Sequence, residues 1–115
     1  MLRGEIRLVD FGSALPGEAG RTRPAVIVSN DGANTAAARL GRGVVTVTPV
    51  TSNVASVFPF QVLVAAADSG LRADSKVQAE QVRAISVRRI GRQIGTVPAA
   101  LMLEVDEALR LHLAV

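Results

Sequence analysis

In the stretch GRTRPAVIVSN, from Gly20 to Asn30, two arginines stand one residue apart, at Arg21 and Arg23. Pro24 follows, then four apolar residues. A proline disfavours helical backbone at the residue before it, so Arg23 is expected to be held extended at the mouth of a strand. A guanidinium keeps its charge at any working pH and forks onto two oxygens, so one held in place can bind or stabilise an anion. Glu18 stands five residues earlier in the same glycine-rich loop, and Thr51 and Ser52 end a second strand, VTVTPVTS. These segments meet if the two strands are neighbours and the loop folds over their ends. Composition alone favours a plainer reading. Glu18 is then a solvated acid or the partner of Arg23, and Thr46, Thr48 and Thr51 are ordinary strand threonines.

Other chemistries drop out. The chain has one histidine, His112, and no cysteine, so a zinc site lacks its usual ligands and thiolate chemistry is excluded. His112 falls on a C-terminal helix and reads as a packing or interface residue. No G-x-x-x-x-G-K-[ST] loop occurs, GSALPG is not a nucleophile elbow, and the acids are scattered. No metal and no cofactor are expected.

The elements that must carry these residues are short. RGEIRLVDF alternates as a strand from about Glu5 to Phe11, and GSALPGEAGRT is a loop longer than a hairpin needs. PAVIVSN is a strand; Asn30 or Asp31 then caps a short alanine-rich helix, NDGANTAAARL. GVVTVTPVTS is a strand in which Pro49 suggests an edge or a bulge. FPFQVLVAA and KVQAEQVRAISV each read as a further strand. VPAALMLEVDEALRLHLAV reads as a long helix with Pro98 in its first turn. Its apolar stripe is Leu101, Val105, Ala108 and His112, widened by Met102, Leu109 and Leu113, with Asp106 and Arg110 paired on the wet side. The sum is roughly five strands with mostly short links, favouring antiparallel pairing. The expected fold is α+β and mainly β: a small barrel or rolled antiparallel sheet with a short inserted helix and a long C-terminal helix packed outside.

With 115 residues the chain fits one domain, 1–115, able to bury about two-thirds of its unfolded surface. Half the residues are hydrophobic (49%) and the mean hydropathy is +0.33, greasy for a lone small domain; a face for a partner or second copy, or an alanine-rich core, would account for it. Net charge is +3, and of thirteen basic residues only Lys76 is lysine. Such a balance permits an anionic partner such as nucleic acid, and equally reflects a genome rich in arginine codons. Charges interrupt MLRGEIRLVD, so no signal peptide is visible, and VFPFQVLVAAA is too short to span a membrane. A cytoplasmic protein is expected.

Several pieces, taken in order, resemble one family. RGEIRLVDF resembles the opening strand of the MazF/PemK/Kid toxins. PGEAGRTRPAVIVSND resembles their G-S-E-x-x-x-x-R-P signature, with Gly17 in place of the usual serine. VVTVTPVTSN resembles the strand ending in the family's second catalytic position. FPFQVLV, AEQVRAI and VPAALMLEVDEAL resemble its Pro-Phe strand, its Gln-containing motif and its terminal helix. The resemblance spans nearly the whole chain. It implies an SH3-like barrel that dimerises and acts as a metal-independent, sequence-specific endoribonuclease on single-stranded RNA, restrained by a MazE-like antitoxin with an acidic C-terminal segment. It places catalysis on Arg23 and Thr51 with Glu18 in the loop, and RNA contacts on Asn34 and Gln81. Ser52, Phe58, Phe60 and Arg83 are further candidate RNA contacts, the two phenylalanines by stacking. Arg83, Arg88, Arg89 and Arg92 place four cations in ten residues, either tracking a phosphate backbone or forming a solvated face. Gyrase-inhibiting relatives share the fold and act through C-terminal residues, so a non-enzymatic protein-binding toxin or a co-repressor is the alternative.

Overall fold

Valine-rich strands buried on both faces set the frame. The computed structural model describes residues 1–115. β1 (Glu5–Asp10), β2 (Thr22–Ile27) and β3 (Val44–Thr51) lie side by side and antiparallel. Between β2 and β3 the chain makes α1 (Asp31–Leu40), capped by Asn30, whose side chain accepts from Ala33 N at 2.8 Å. It ends at Gly41 in the left-handed region. β4 (Gln61–Val64), a single helical turn α2 (Ala66–Ser69) and β5 (Ser75–Gln78) follow. A 3-10 turn, Ala79–Gln81, leads into β6 (Arg83–Ser86), and a second, Val87–Arg89, into β7 (Ile90–Thr96). The chain closes with α3 (Ala99–Leu113).

The sheet runs β4-β5-β3-β2-β1-β7, with β6 also beside β3. Along one side of β3, Val44–Val47 pair with β6, while Val50 and Thr51 pair with β5. Thr48 and Pro49 sit where the partner changes. Pro49 is therefore buried on a central strand, not at an edge; its missing N–H falls in the gap between two ladders. Thr48, fully buried, donates its hydroxyl to Gln78 O at 2.6 Å across the same gap.

Strand periodicity splits the core in two. Val26 and Val28 face a cluster with Ile6, Val62, Val77, Met102 and Val105, under α3. Ala25 and Ile27 face the opposite cluster with Val9, Phe11, Val45, Val47 and Ile85, closed by Ala37 of α1. On α3 the buried face is Met102, Val105 and Ala108, flanked by Leu101 and Leu109; from Arg110 onward every residue is exposed, His112 and Leu113 included. Asp106 does not pair with Arg110. It meets Arg3 Nη2 at 2.5 Å, tying helix to N-terminus, while Arg110 bonds Glu107.

Three features depart from the sequence expectations. KVQAEQVRAISV is not one strand but β5 and β6, split by a 3-10 turn so that both can flank β3. Phe58, Pro59 and Phe60 form a turn, and the strand starts only at Gln61. β7 is an additional strand, rich in glycine because it crosses its neighbours closely: a Cβ on Gly95 would come within 2.3 Å of Ser69 O. No helix is long and apolar enough to cross a membrane.

Candidate active site

The register of β2 on β3 pairs Ala25 with Pro49. That ladder ends at Ala25 and Pro49, and Arg23 and Thr51 lie two residues beyond it on their own strands. Thr51 is itself paired with Lys76 of β5, and Arg23 with Val9 of β1. Side chains two residues apart on a strand point to the same face, so Arg23 continues the face of Ala25 and Thr51 that of Pro49. The cation and the hydroxyl that sequence sets 28 positions apart thus share one end of the sheet.

Arg23 is exposed but anchored. Its Nε donates to Gly20 O at 2.9 Å, which leaves both terminal nitrogens free. Thr51 is half-buried; its Oγ1 accepts a 3.2 Å bond from Asn53 N, and its own proton remains available to a ligand. Both line a cleft of about 720 Å³ with Ser52, Arg72, Arg92 and Gln93. Three guanidiniums and no carboxylate line it, so the cleft favours an anion.

The loop between β1 and β2 forms a second hollow of about 830 Å³, lined by Glu18, Arg21 and Arg23 among others. Arg23 borders both hollows. Glu18 is placed in the second, not in the cleft with Thr51; its Oε1 accepts from Leu15 N at 2.9 Å and braces the loop. Phe11 N donates to Arg21 O at 2.8 Å and Arg21 N to Gly12 O at 2.6 Å, closing the loop's neck. Gly20 is required there, because a Cβ would lie 2.6 Å from Ala14 Cβ. Gln81 accepts from Ala19 N at 2.6 Å, and so ties the loop to the turn before β6. Gln81, Arg83 and Glu18 border a smaller hollow of about 360 Å³. The guanidinium of Arg83 lies 5.6 Å from the Phe11 ring centroid, a cation–π contact.

The other expected contacts scatter. Phe58 and Phe60 stack, centroids 5.5 Å apart, with Phe58 half exposed; neither joins the two core clusters. Asn34 is not available to a ligand: it is fully buried at the corner between β2 and α1. Its Nδ2 donates to Ser29 O at 2.8 Å and its Oδ1 accepts from Ser29 Oγ. Of the four clustered cations, Arg92 enters the cleft, while Arg88 bonds Gly41 O and Arg89 faces Asp10. Arg72, Gln93 and Lys76 are site elements that sequence reasoning does not reach. Lys76 is buried, and its Nζ donates to Ser56 O at 2.6 Å, fastening the loop that follows Thr51. Its one sequence signal is that it is the only lysine.

A small rolled β-sheet with a helix across one face, bearing a mounted guanidinium and a hydroxyl in one acid-free cleft, defines a class of protein suited to gripping an oxyanion such as a phosphodiester. Residues 2–113 match the model of the PemK-like, MazF-like toxins of type II toxin–antitoxin systems, and the chain belongs to that family. It is 58% identical over 113 residues to a protein of Mycobacterium tuberculosis named endoribonuclease MazF9, covering 98% of this chain and 96% of that one. Endoribonuclease EndoA of Bacillus subtilis is 29% identical over 113 residues, covering 97% and 93%. Among solved structures, MazF of Deinococcus radiodurans superposes with a TM-score of 0.79 at 26% identity, covering 100% of this chain and 97% of that one. A MazE–MazF complex from the same organism gives 0.73 at 26%, covering 100% and 96%.

Proposed function

We propose that this chain is a toxin that cleaves single-stranded RNA, a metal-independent and sequence-specific endoribonuclease. Arg23 and Thr51 together in one cleft without carboxylates carry the reading, and the name of the 58% identical relative supports it. RNA holds its own nucleophile. The 2′-hydroxyl attacks the adjacent phosphorus and expels the 5′-oxygen, leaving a 2′,3′-cyclic phosphate and a 5′-hydroxyl. The protein has to align the backbone, stabilise charge on the phosphoryl oxygens and move two protons.

Arg23 supplies the charge, with its free nitrogens forking onto two oxygens while Nε stays on Gly20 O. Thr51 donates to a further oxygen, and Ser52 lies beside it. A guanidinium holds its proton and is a poor base, so the base role goes to Glu18, reached when the loop leans over Arg23. Gln81 acts through the loop it anchors; Arg83, Phe58 and Phe60 are RNA contacts outside the cleft.

The same basic surface suits an acidic antitoxin segment, and the MazE–MazF complex supports such a partner. Homodimerisation is supported by apolar side chains left exposed on α3: Leu103, Leu111 and Leu113. The setting for this activity is the cytoplasm. The test is to incubate a long single-stranded RNA and its 2′-deoxy counterpart in EDTA. Cleavage of the RNA only, leaving cyclic phosphate ends, is expected. Loss of cleavage on adding EDTA rules out the metal-free mechanism, and an intact RNA in the absence of EDTA favours the protein-binding alternative.

A further inference from the structure

We infer that Arg21 is a second phosphate-binding residue, gripping the RNA backbone beside the phosphodiester held by Arg23; this rests on the endoribonuclease reading above. The starting point is a strained position. Arg21 has φ +62°, the left-handed region that glycine enters freely and other residues enter only at a steric cost. Only one other non-glycine residue, Ala114, shares this feature, and it terminates α3, where such a conformation satisfies a helix carbonyl.

The backbone explains the conformation of Arg21 but not its identity. Its N–H and C=O close the neck of the β1–β2 loop, a task that glycine performs without strain, as glycines do at six other positive-φ positions. The side chain does nothing for the fold. It is exposed, and its guanidinium makes no hydrogen bond, ion pair or ring contact, unlike Arg3, Arg7, Arg83, Arg88 and Arg110. What it does border is the hollow shared with Arg23 and Glu18, whose carboxylate is already bonded to the loop backbone. Strain retained for a side chain without a structural partner points to a ligand. An uncommitted guanidinium in the hollow adjoining Arg23 has the chemistry to take a phosphate.

Arg21→Gly and Arg21→Asn separate the side chain from the backbone, because both residues accept positive φ. Binding is measured on a long single-stranded RNA with 2′-O-methyl riboses, which cannot be cut, over a series of salt concentrations. Both variants are expected to melt no lower than the parent. The slope of log affinity against log salt should be shallower by about 0.7, the value of one phosphate contact to a single strand. Affinity at low salt should fall about threefold or more, and Arg21→Lys should keep the parental slope. A parental slope in the glycine and asparagine variants overturns the proposal, as does a melting temperature several degrees lower in both. So does weaker binding of an acidic peptide with RNA binding intact, since the cation then serves a protein partner. Failure of the parent to cut unmodified RNA overturns the endoribonuclease reading instead, and the two outcomes are read on different substrates.

Discussion

Arg23, near the start of β2, and Thr51, at the end of β3, line one cleft two residues beyond the Ala25–Pro49 pair. Antiparallel pairing makes such positions neighbours, and the paired residues behind them, Ala25 to Ile27 on Val47 to Pro49, are buried. Arg23 and Thr51 therefore stand at the end of the buried part of the sheet, while Glu18 and Arg21 stand on the loop between β1 and β2. On the proposed mechanism, charge stabilisation falls to strand residues and proton transfer to a loop residue.

Arg23→Ala is expected to lower the rate of RNA cleavage about a hundredfold to a thousandfold, the usual loss when one well-placed donor to an oxyanion is removed. Arg23→Lys should recover little of it, because an ammonium has neither the fork nor an Nε to keep on Gly20 O. Single-turnover cleavage at saturating protein measures both. A lysine variant within tenfold of the parent would show that charge alone suffices.

Glu18→Gln isolates proton transfer from loop bracing. Glutamine keeps a carbonyl oxygen for the bond from Leu15 N, so the loop retains its shape. The cleavage rate should fall while affinity for 2′-O-methyl RNA stays within about twofold. A variant that cuts at the parental rate assigns the base elsewhere.

Most of the frame was legible. β1, β2, α1, β3 and α3 follow from alternation, capping and helical spacing, and these elements bring Arg23 to Thr51 once the register is known. β7 was not legible, because RIGRQIGT has two glycines and exposed polar residues where alternating apolars would signal a strand. Arg72 and Gln93 were opaque as cleft residues, because the turn after α2 and the closure of β7 on β1 bring them there. Asn34 misled in the opposite direction. At the start of a helix an asparagine can serve a ligand or the fold, and only burial separates the two.

Asn34→Ala is accordingly a stability variant. It removes the fully buried Asn34 side chain from two hydrogen bonds with the half-buried Ser29, leaving the Ser29 carbonyl without its donor. The expected cost is about 1–3 kcal/mol, read as a lower denaturant midpoint with an unchanged m-value. The cleavage rate per folded molecule should be unaltered. A variant of parental stability with weakened RNA binding would return Asn34 to the substrate surface.

Gly20→Ala reaches the chemistry indirectly. The new Cβ would lie 2.6 Å from Ala14 Cβ and 3.2 Å from Gly12 O, so the neck of the loop has to shift. Gly20 O is the acceptor that holds Arg23 Nε, so that shift frees the guanidinium to wander and removes its preorganisation. Neither core cluster includes Gly20. Circular dichroism should be unchanged while the cleavage rate falls about tenfold or more. The double variant tells a loop effect from an effect through Arg23. If Gly20 acts by mounting the guanidinium, Gly20→Ala costs nothing further once Arg23 is alanine, and the two losses are strongly non-additive. Additive losses would mean that the loop contributes to catalysis by a route independent of Arg23.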